Sequence, residues 1–334
     1  MSEDNRIDIV IPWVDGNDAL WMADFNVHKP KVNNENSHEV RFRDWDLMRF
    51  WFRGIEENMP WVRKIHFITY GHIPAWLNTK HEKINIVKHE DYIPQEYLPT
   101  FSSHVIEIFI HKIEDLAEKF IYFNDDLFAV GKIDERLFFE NNFPKDTFAF
   151  NVLGYDNIAH IIMNDVKAIN YKFSKKEVVL NNLWKIFNWR YLDKAARSLL
   201  LSPWPHITGF YNHHLPQAYL KDTFKKVWNE NEEILIATAN NKFRSNDDVN
   251  QYLFRYWQLC SGTFRPFSLY KKSSVVSIND QNFDSVNKTI KDGTKKIICI
   301  NDGEVTEFEK KKKMLHQAFN TILPKQSSFE IVQG

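Results

Sequence analysis

Two apolar runs in this chain stop abruptly on carboxylates, and together they constrain the fold more than any other feature. Ile121-Tyr122-Phe123 leads into Asn124-Asp125-Asp126, and Ile7-Asp8-Ile9-Val10-Ile11-Pro12-Trp13-Val14 leads into Asp15-Gly16-Asn17-Asp18. Buried strands that deliver carboxylates to their carboxyl ends are how open α/β sheets present groups that hold a metal or a nucleotide diphosphate. Carboxylates also mark strand ends and turns for no chemical reason. Two such ends in one sheet make a site the better reading.

The spacing of apolar residues between these runs predicts alternating elements. Leu47, Trp51 and Ile55 fall on one face of a helix over about residues 45–58, with Asp44 as its cap. Lys64–Tyr70 and Ile84–Lys88 read as strands on either side of a Gly71/Pro74 turn. Ser102-Ser103 can cap a helix over 104–118 that feeds the strand 120–124. This β/α alternation favours an α/β fold with a mostly parallel, Rossmann-like sheet flanked by helices. Further helices are expected over 216–229 and 249–260, and Lys310–Lys313 reads as the solvated face of a terminal helix.

Residues 161–205 have a different texture and read as an aromatic and basic helical insertion. It divides an α/β core (1–160) from the remainder of the core and a C-terminal helix (206–334). Within it, Leu183–Leu192 carries Trp184, Phe187 and Trp189 beside Lys185 and Arg190. Such a stretch suits a lipid interface or a glycan, and equally a helix packed into the domain.

Composition removes several function classes. A formal net charge of −1 lacks the basic excess that a nucleic-acid binder needs. There is no GxGxxG or Walker loop, so dinucleotide oxidoreductases and P-loop NTPases are poor candidates. Two cysteines, of which only Cys260 falls in an expected element, support no disulfide framework. A strand by Ile7 leaves no room for a signal peptide, and no run approaches the roughly 18 apolar residues of a membrane span. The expected location is cytoplasmic, with any membrane contact peripheral.

Polar residues gather at element boundaries in four groups: Asp15/Asn17, Arg41/Arg43/Asp44, Asn124/Asp125/Asp126, and His214 with Arg244, Asp247 and Asp248. Phosphoryl transfer needs cations for phosphorus oxygens, carboxylates for a metal and a base for the attacking hydroxyl. All three kinds are present. Read from the residues alone, the chain is an α/β enzyme acting on a nucleotide or phosphate ester, metal-assisted or not.

At these same positions the chain resembles the Stealth proteins, bacterial capsular and cell-surface polysaccharide phosphotransferases with an animal N-acetylglucosamine-1-phosphotransferase relative. The resemblance rests on Ile7–Asp18 with Trp21, Arg41-Phe42-Arg43-Asp44 through Ile55, Pro60–Ile65, Pro74–Leu77, His89-Glu90-Asp91, Leu98–Glu107 and Phe120–Asp126. It continues in His213-His214-Leu215-Pro216 and Phe243–Asp248, with a weaker echo in Leu323–Glu330. The animal relative has a second histidine after that proline. Here Gln217 stands there and cannot take a proton.

The resemblance implies a GT-A-like sheet and a UDP-sugar donor, a UDP-hexose or UDP-N-acetylhexosamine. It also implies attack by a glycan hydroxyl on the phosphorus next to the sugar, with UMP leaving. The acceptor would be a lipid-linked oligosaccharide or polysaccharide. In this reading His214 is the general base, Arg244 stabilises the transition state, and Asp125 and Asp126 hold a divalent metal, Mg2+ or Mn2+, or the diphosphate. Asp126 also counts among the catalytic residues. Asp15, Gly16, Asn17, Arg43, Asp44, Asn124 and Asp248 belong to the donor site. Two rivals stand beside it: a conventional glycosyltransferase on the same sheet that releases UDP, and a non-catalytic polysaccharide-assembly scaffold.

Overall fold

The computed structural model describes residues 6–29, 44–154, 158–303 and 305–331. From the N-terminus the chain makes β1 (Ile7–Pro12), α1 (Ala19–His28), α2 (Met48–Asn58), β2 (Ile65–Thr69), β3 (Ile84–Lys88), α3 (Ser103–Ile108) and β4 (Lys119–Tyr122). Short strands β5 (Leu127–Ala129), β6 (Phe139–Glu140) and β7 (Phe143–Asp146) follow, then helices α4 (Ala159–Lys172), α5 (Lys175–Ile186) and α6 (Leu192–Leu201). The chain returns through β8 (Gln217–Leu220), α7 (Lys221–Ala239) and α8 (Gln251–Cys260). It continues with β9 (Arg265–Pro266), β10 (Ser273–Ser277), α9 (Phe283–Lys291), β11 (Ile297–Asn301) and α10 (Phe308–Ile322).

The central sheet has the order β3-β2-β1-β4-β8, with β1 to β4 parallel and β8 antiparallel at one edge. The expected α/β, mostly parallel architecture is present. Because side chains alternate across a strand, β1 feeds two cores. Ile9 and Ile11 pack with Trp51 and Phe52 of α2, while Val10 packs on the opposite face with Val105 of α3 and Phe120 of β4. Covering both faces is what lets these strands be almost wholly apolar. A second sheet, β10-β11-β5, lies on the α2 side, and its β5 begins directly after Asp126.

Two expected helices are corrected. The helix over 104–118 stops at Ile108. The Trp228 indole N–H donates to the Ile108 carbonyl at 2.7 Å, and the Lys112 N–H turns instead to the Phe109 carbonyl at 2.8 Å. With that acceptor taken, the chain tightens into a single 3₁₀ turn. The helix over 216–229 begins only at Lys221. Gln217–Leu220 is strand, paired along the free edge of β4 from Tyr122↔Gln217 to Lys119↔Leu220. An unpaired edge is a stronger attractor than a helical period spanning a few residues.

Within the 161–205 region, α4 contributes Ile162, Val166 and Ile169 to the same core as α7 and α8. The Leu183–Leu192 stretch divides by face: Ile186 and Tyr191 are buried, and Trp184 and Trp189 are exposed.

Candidate active site

Strand order fixes where a ligand can sit. From β1 the chain crosses to β2 and β3 on one side and to β4 on the other, so a crevice opens outside the carboxyl ends of β1 and β4. The two carboxylate-bearing segments singled out in the sequence leave the sheet at this switch point.

The segment after β1 is a turn braced by its own carboxylate. Asp15 Oδ1 accepts the Asn17 N–H at 2.9 Å, the Asp15 carbonyl accepts the Asp18 N–H at 3.1 Å, and Asp18 caps α1 by accepting the Trp21 N–H at 2.8 Å. The Asp15 N–H is donated to His72 Nε2 at 2.8 Å. His72, in the turn after β2, was missed in the sequence, where only Gly71 and Pro74 marked that turn. Burial holds its pKa below the ordinary value, so it stays neutral and able to accept this bond. Asn17 is exposed, and Gly16 and Asp15 are half-buried beside it.

The segment after β4 meets a histidine from the far side of the sheet. His214 Nε2 lies 3.0 Å from Asp126 Oδ2, across 88 residues of sequence, and 3.5 Å from Asn124 Nδ2. A carboxylate can only accept, so the imidazole donates Nε2–H and keeps its lone pair on Nδ1. Cys299 of β11 approaches Asp126 Oδ2 at 3.5 Å, and the Ile300 N–H donates to the Asp126 carbonyl at 2.8 Å. Cys299 carried no signal in the sequence, since it sits in an apolar run that reads as an ordinary core strand.

The electrostatics are those of a crevice floor. Asp125 is exposed to solvent yet hemmed in by protein, and its carboxyl is pushed up to about 7, first by desolvation and then by the negative charge of Asp126, with Asp44 adding to it. Asp44 is also raised, by desolvation first and with a contribution from Asp15. His214 is raised by its bond to Asp126, against the opposing effect of desolvation, with the charges of Asp126 and Asp125 adding to the rise. Asp44, Asp15, Asp125, Asp126 and His214 therefore feel one another. Arg43, with the rest of the basic cluster from Arg41, lies outside the described residues.

A cation fits this group. Asp126 Oδ1 is buried with no hydrogen-bond partner, and donor atoms of Asp126, His214 and Cys299 all lie within 4.8 Å of one another. A divalent ion would satisfy that oxygen and relieve the repulsion between the two aspartates.

His214 is held by its neighbours. Asp146 is buried, accepts from Arg255 Nε at 2.7 Å and Nη2 at 2.8 Å, and lies 3.5 Å from His213 Nε2. Arg255 Nη1 donates to Asn212 Oδ1 at 2.7 Å, and Gln217 Nε2 donates to Asp146 at 3.1 Å. The chain on both sides of His214 is thus tied to one buried ion pair while His214 itself faces the crevice. Burial alone would raise the Asp146 carboxyl, but Arg255 and the His213 bond override it and hold it well below its ordinary value. Neither residue was read as functional. The available signal was a lone arginine inside the apolar run of α8. Arg255→Met leaves the buried Asp146 carboxylate without its guanidinium partner, and should destabilise the protein by about 3–5 kcal/mol in urea unfolding.

The Arg244 loop reaches the same end of the sheet through aromatic packing. Phe101 stacks on Phe243 at 5.2 Å and meets Phe25 of α1 edge-on at 5.5 Å. Arg244 is exposed and its Nη2 donates to Ser103 Oγ at 2.6 Å. Asp248, expected in the donor site, instead sits beneath this loop without exposed surface. Its oxygens accept from His104 at 2.7 Å, Asn241 at 2.7 Å and the Ser245 N–H at 2.9 Å.

Comparison with known proteins bears on this geometry. Residues 41–147 match the family model described as Stealth protein CR2, conserved region 2, a span that includes Asn124, Asp125 and Asp126. Over 335 residues, 99% of each chain, the sequence is 40% identical to the "Capsular polysaccharide phosphotransferase WcwK" of Streptococcus pneumoniae. The chain belongs to the Stealth family. Other relatives align nearly as fully. The "Receptor polysaccharide phosphotransferase WefC" of Streptococcus gordonii is 35% identical, covering 98% of this chain and 99% of that one. The "Exopolysaccharide phosphotransferase cps2G" of Lactiplantibacillus plantarum is 34% identical, covering 97% and 96%. The solved galactosyltransferase LgtC aligns over 93% of this chain and 95% of its own with a TM-score of 0.36 and 8% identity, too remote to carry an argument. This Stealth chain is thus a member of a family of polysaccharide phosphotransferases, and among its described residues no helix is long and apolar enough to cross a membrane.

Proposed function

We propose that this protein transfers sugar-1-phosphate from a UDP-hexose or UDP-N-acetylhexosamine to a hydroxyl of a glycan acceptor in capsular or cell-surface polysaccharide synthesis. The observation that carries the reading is the His214–Asp126 pair at the β1/β4 switch point, which supplies a base beside carboxylates. His214 Nδ1 takes the acceptor proton, and Asp126, holding Nε2–H, fixes the tautomer and stabilises the imidazolium that forms. The acceptor oxygen forms a bond to the phosphorus next to the sugar, the bond from that phosphorus to the bridging oxygen breaks, and UMP carries away the electron pair. Asp15, Gly16 and Asn17 border the donor, and Arg244 meets charge on the transferred phosphate. A divalent cation, Mg2+ or Mn2+, would be held by Asp125 and Asp126 beside Cys299, and would supply neutralisation of the phosphate oxygens. The acceptor is a lipid-linked oligosaccharide or polysaccharide.

Incubation with a panel of UDP-sugars and a crude lipid-linked acceptor, with products weighed by mass spectrometry, tests this. UMP with a sugar phosphodiester is the expected outcome. Release of UDP with a glycosidic product would make the enzyme a conventional glycosyltransferase, and no turnover with any donor would favour a scaffold.

A further inference from the structure

Helices α5 and α6 leave most of their large apolar side chains outside. Of the nineteen large apolar side chains exposed among the described residues, nine fall between Leu180 and Trp204, so exposure here is concentrated rather than scattered. Along α5 and its C-cap, Leu180, Leu183, Trp184 and Phe187 are all exposed, on either side of a kink at Asn182. On α6, Leu192, Leu199 and Leu200 do the same, with Leu200 at 75%. Trp189 at 72% and Trp204 at 57% extend the surface at either end of α6.

The inward faces hold only Val178 and Ile186 of α5 and Ala195 of α6 as buried apolar groups, and polar side chains take up the rest. Asn182 donates to the Val178 carbonyl at 3.0 Å, Lys185 reaches the Gly262 carbonyl, Lys175 reaches the Trp204 carbonyl at 2.7 Å, and Ser198 accepts the Phe150 N–H at 3.0 Å. An ordinary surface helix turns its leucines in and its lysines out. Here several polar groups are spent on the protein while most of the large apolar ones are left outside, an arrangement that costs solubility unless something covers it.

Charge indicates what covers it. Setting aside the inward Lys175 and Lys185, residues 175–206 carry four Lys or Arg against two acidic residues, in a chain whose net charge is −1. Lys176 and Arg197 are exposed, and the Arg190 guanidinium lies 5.2 Å over the Trp189 ring. Tryptophan and leucine flanked by cations suit the boundary between acyl chains and anionic headgroups. The outward leucines of α6 offer a sugar hydroxyl no hydrogen bond, which disfavours a glycan.

We propose that the outer face of α5 and α6 docks this protein on an anionic lipid surface, with both helices lying in the plane of the interface. Helix α6 adjoins the His214 segment: Lys194 on its inner side lies 4.6 Å from the Tyr211 ring, three residues before His214. The inference stands independently of the reaction proposed above, since it rests on α5 and α6 alone.

Co-sedimentation of the full chain tests it, with vesicles of phosphatidylglycerol and phosphatidylcholine in equal parts and with phosphatidylcholine alone. The chain should bind the mixed vesicles, less so as salt rises, and bind phosphatidylcholine weakly. Trp184→Ser with Trp189→Ser should cut binding about tenfold or more while circular dichroism and the melting midpoint stay near wild type. Should that pair unfold, Leu199→Gln with Leu200→Gln on α6 makes the same measurement. Failure of the wild type to bind phosphatidylglycerol vesicles at low salt overturns the proposal, as does a folded variant that binds like wild type. So does self-association that either variant dissolves while vesicle binding stays absent, because the cover would then be a second copy of the chain.

Discussion

Replacing His214 by alanine is expected to lower turnover by about 100-fold or more while donor affinity changes little. The side chain is partly exposed and lies outside the apolar cores, so the variant should fold. A base that acts on the acceptor proton is needed in the transition state and not for holding the donor, so the loss should appear in kcat. Near-normal turnover would remove His214 as the base and turn attention to His213 or an aspartate. A donor Kd that rises as much as kcat falls would make it a binding group.

The pH profile of the same reaction carries a sign. His214 must be neutral to accept a proton, and Asp126 raises its pKa above the ordinary 6.5. Activity should therefore climb through a limb lying above 6.5, as pH rises past the folded-state pKa. Asp126→Asn removes the carboxylate that favours the imidazolium, so the limb should move to lower pH even though the maximal rate falls. A limb that stays in place in the variant would separate the two residues functionally.

The mostly parallel sheet and its strand-end carboxylates were legible because both rest on local signals. Ile7–Pro12 and Lys119–Tyr122 are adjacent parallel strands, and the turns after them carry Asp15 and Asp126 as the sequence indicated. Contacts made by distant segments were not legible. Gln217 looked like a helix residue because nothing local shows the free edge of β4 that draws it into a strand. Asp248 closes the Phe243–Asp248 stretch that resembles a Stealth motif, but His104, 144 residues away, holds it underneath. Cys299, His72 and the Asp146–Arg255 pair reach the site or its supports only through tertiary packing, so composition and spacing carried almost no trace of them.

Asp125→Ala and Asp126→Ala should each lower activity at limiting divalent cation by about two orders of magnitude or more, and for different reasons. Asp125 acts on His214 only as a nearby charge, after the bond and charge of Asp126, so its loss should weaken donor and cation binding and lower the His214 limb less than Asp126→Asn does. Asp126 serves both the cation and the imidazole, so its loss should reduce affinity and kcat together. Cation binding should itself depend on pH. With the Asp125 carboxyl pushed up to about 7, a fraction of it is protonated near neutrality, and the ion must displace that proton. Affinity for Mg2+ or Mn2+ should therefore rise as pH rises through about 7, with proton release on binding that calorimetry in buffers of different ionisation enthalpy can count. Asp125→Ala should abolish that release and make residual activity insensitive to added cation. Full wild-type activity in excess chelator would instead give both aspartates a hydrogen-bonding role toward the diphosphate, with Asp125 then serving as a donor from its protonated form.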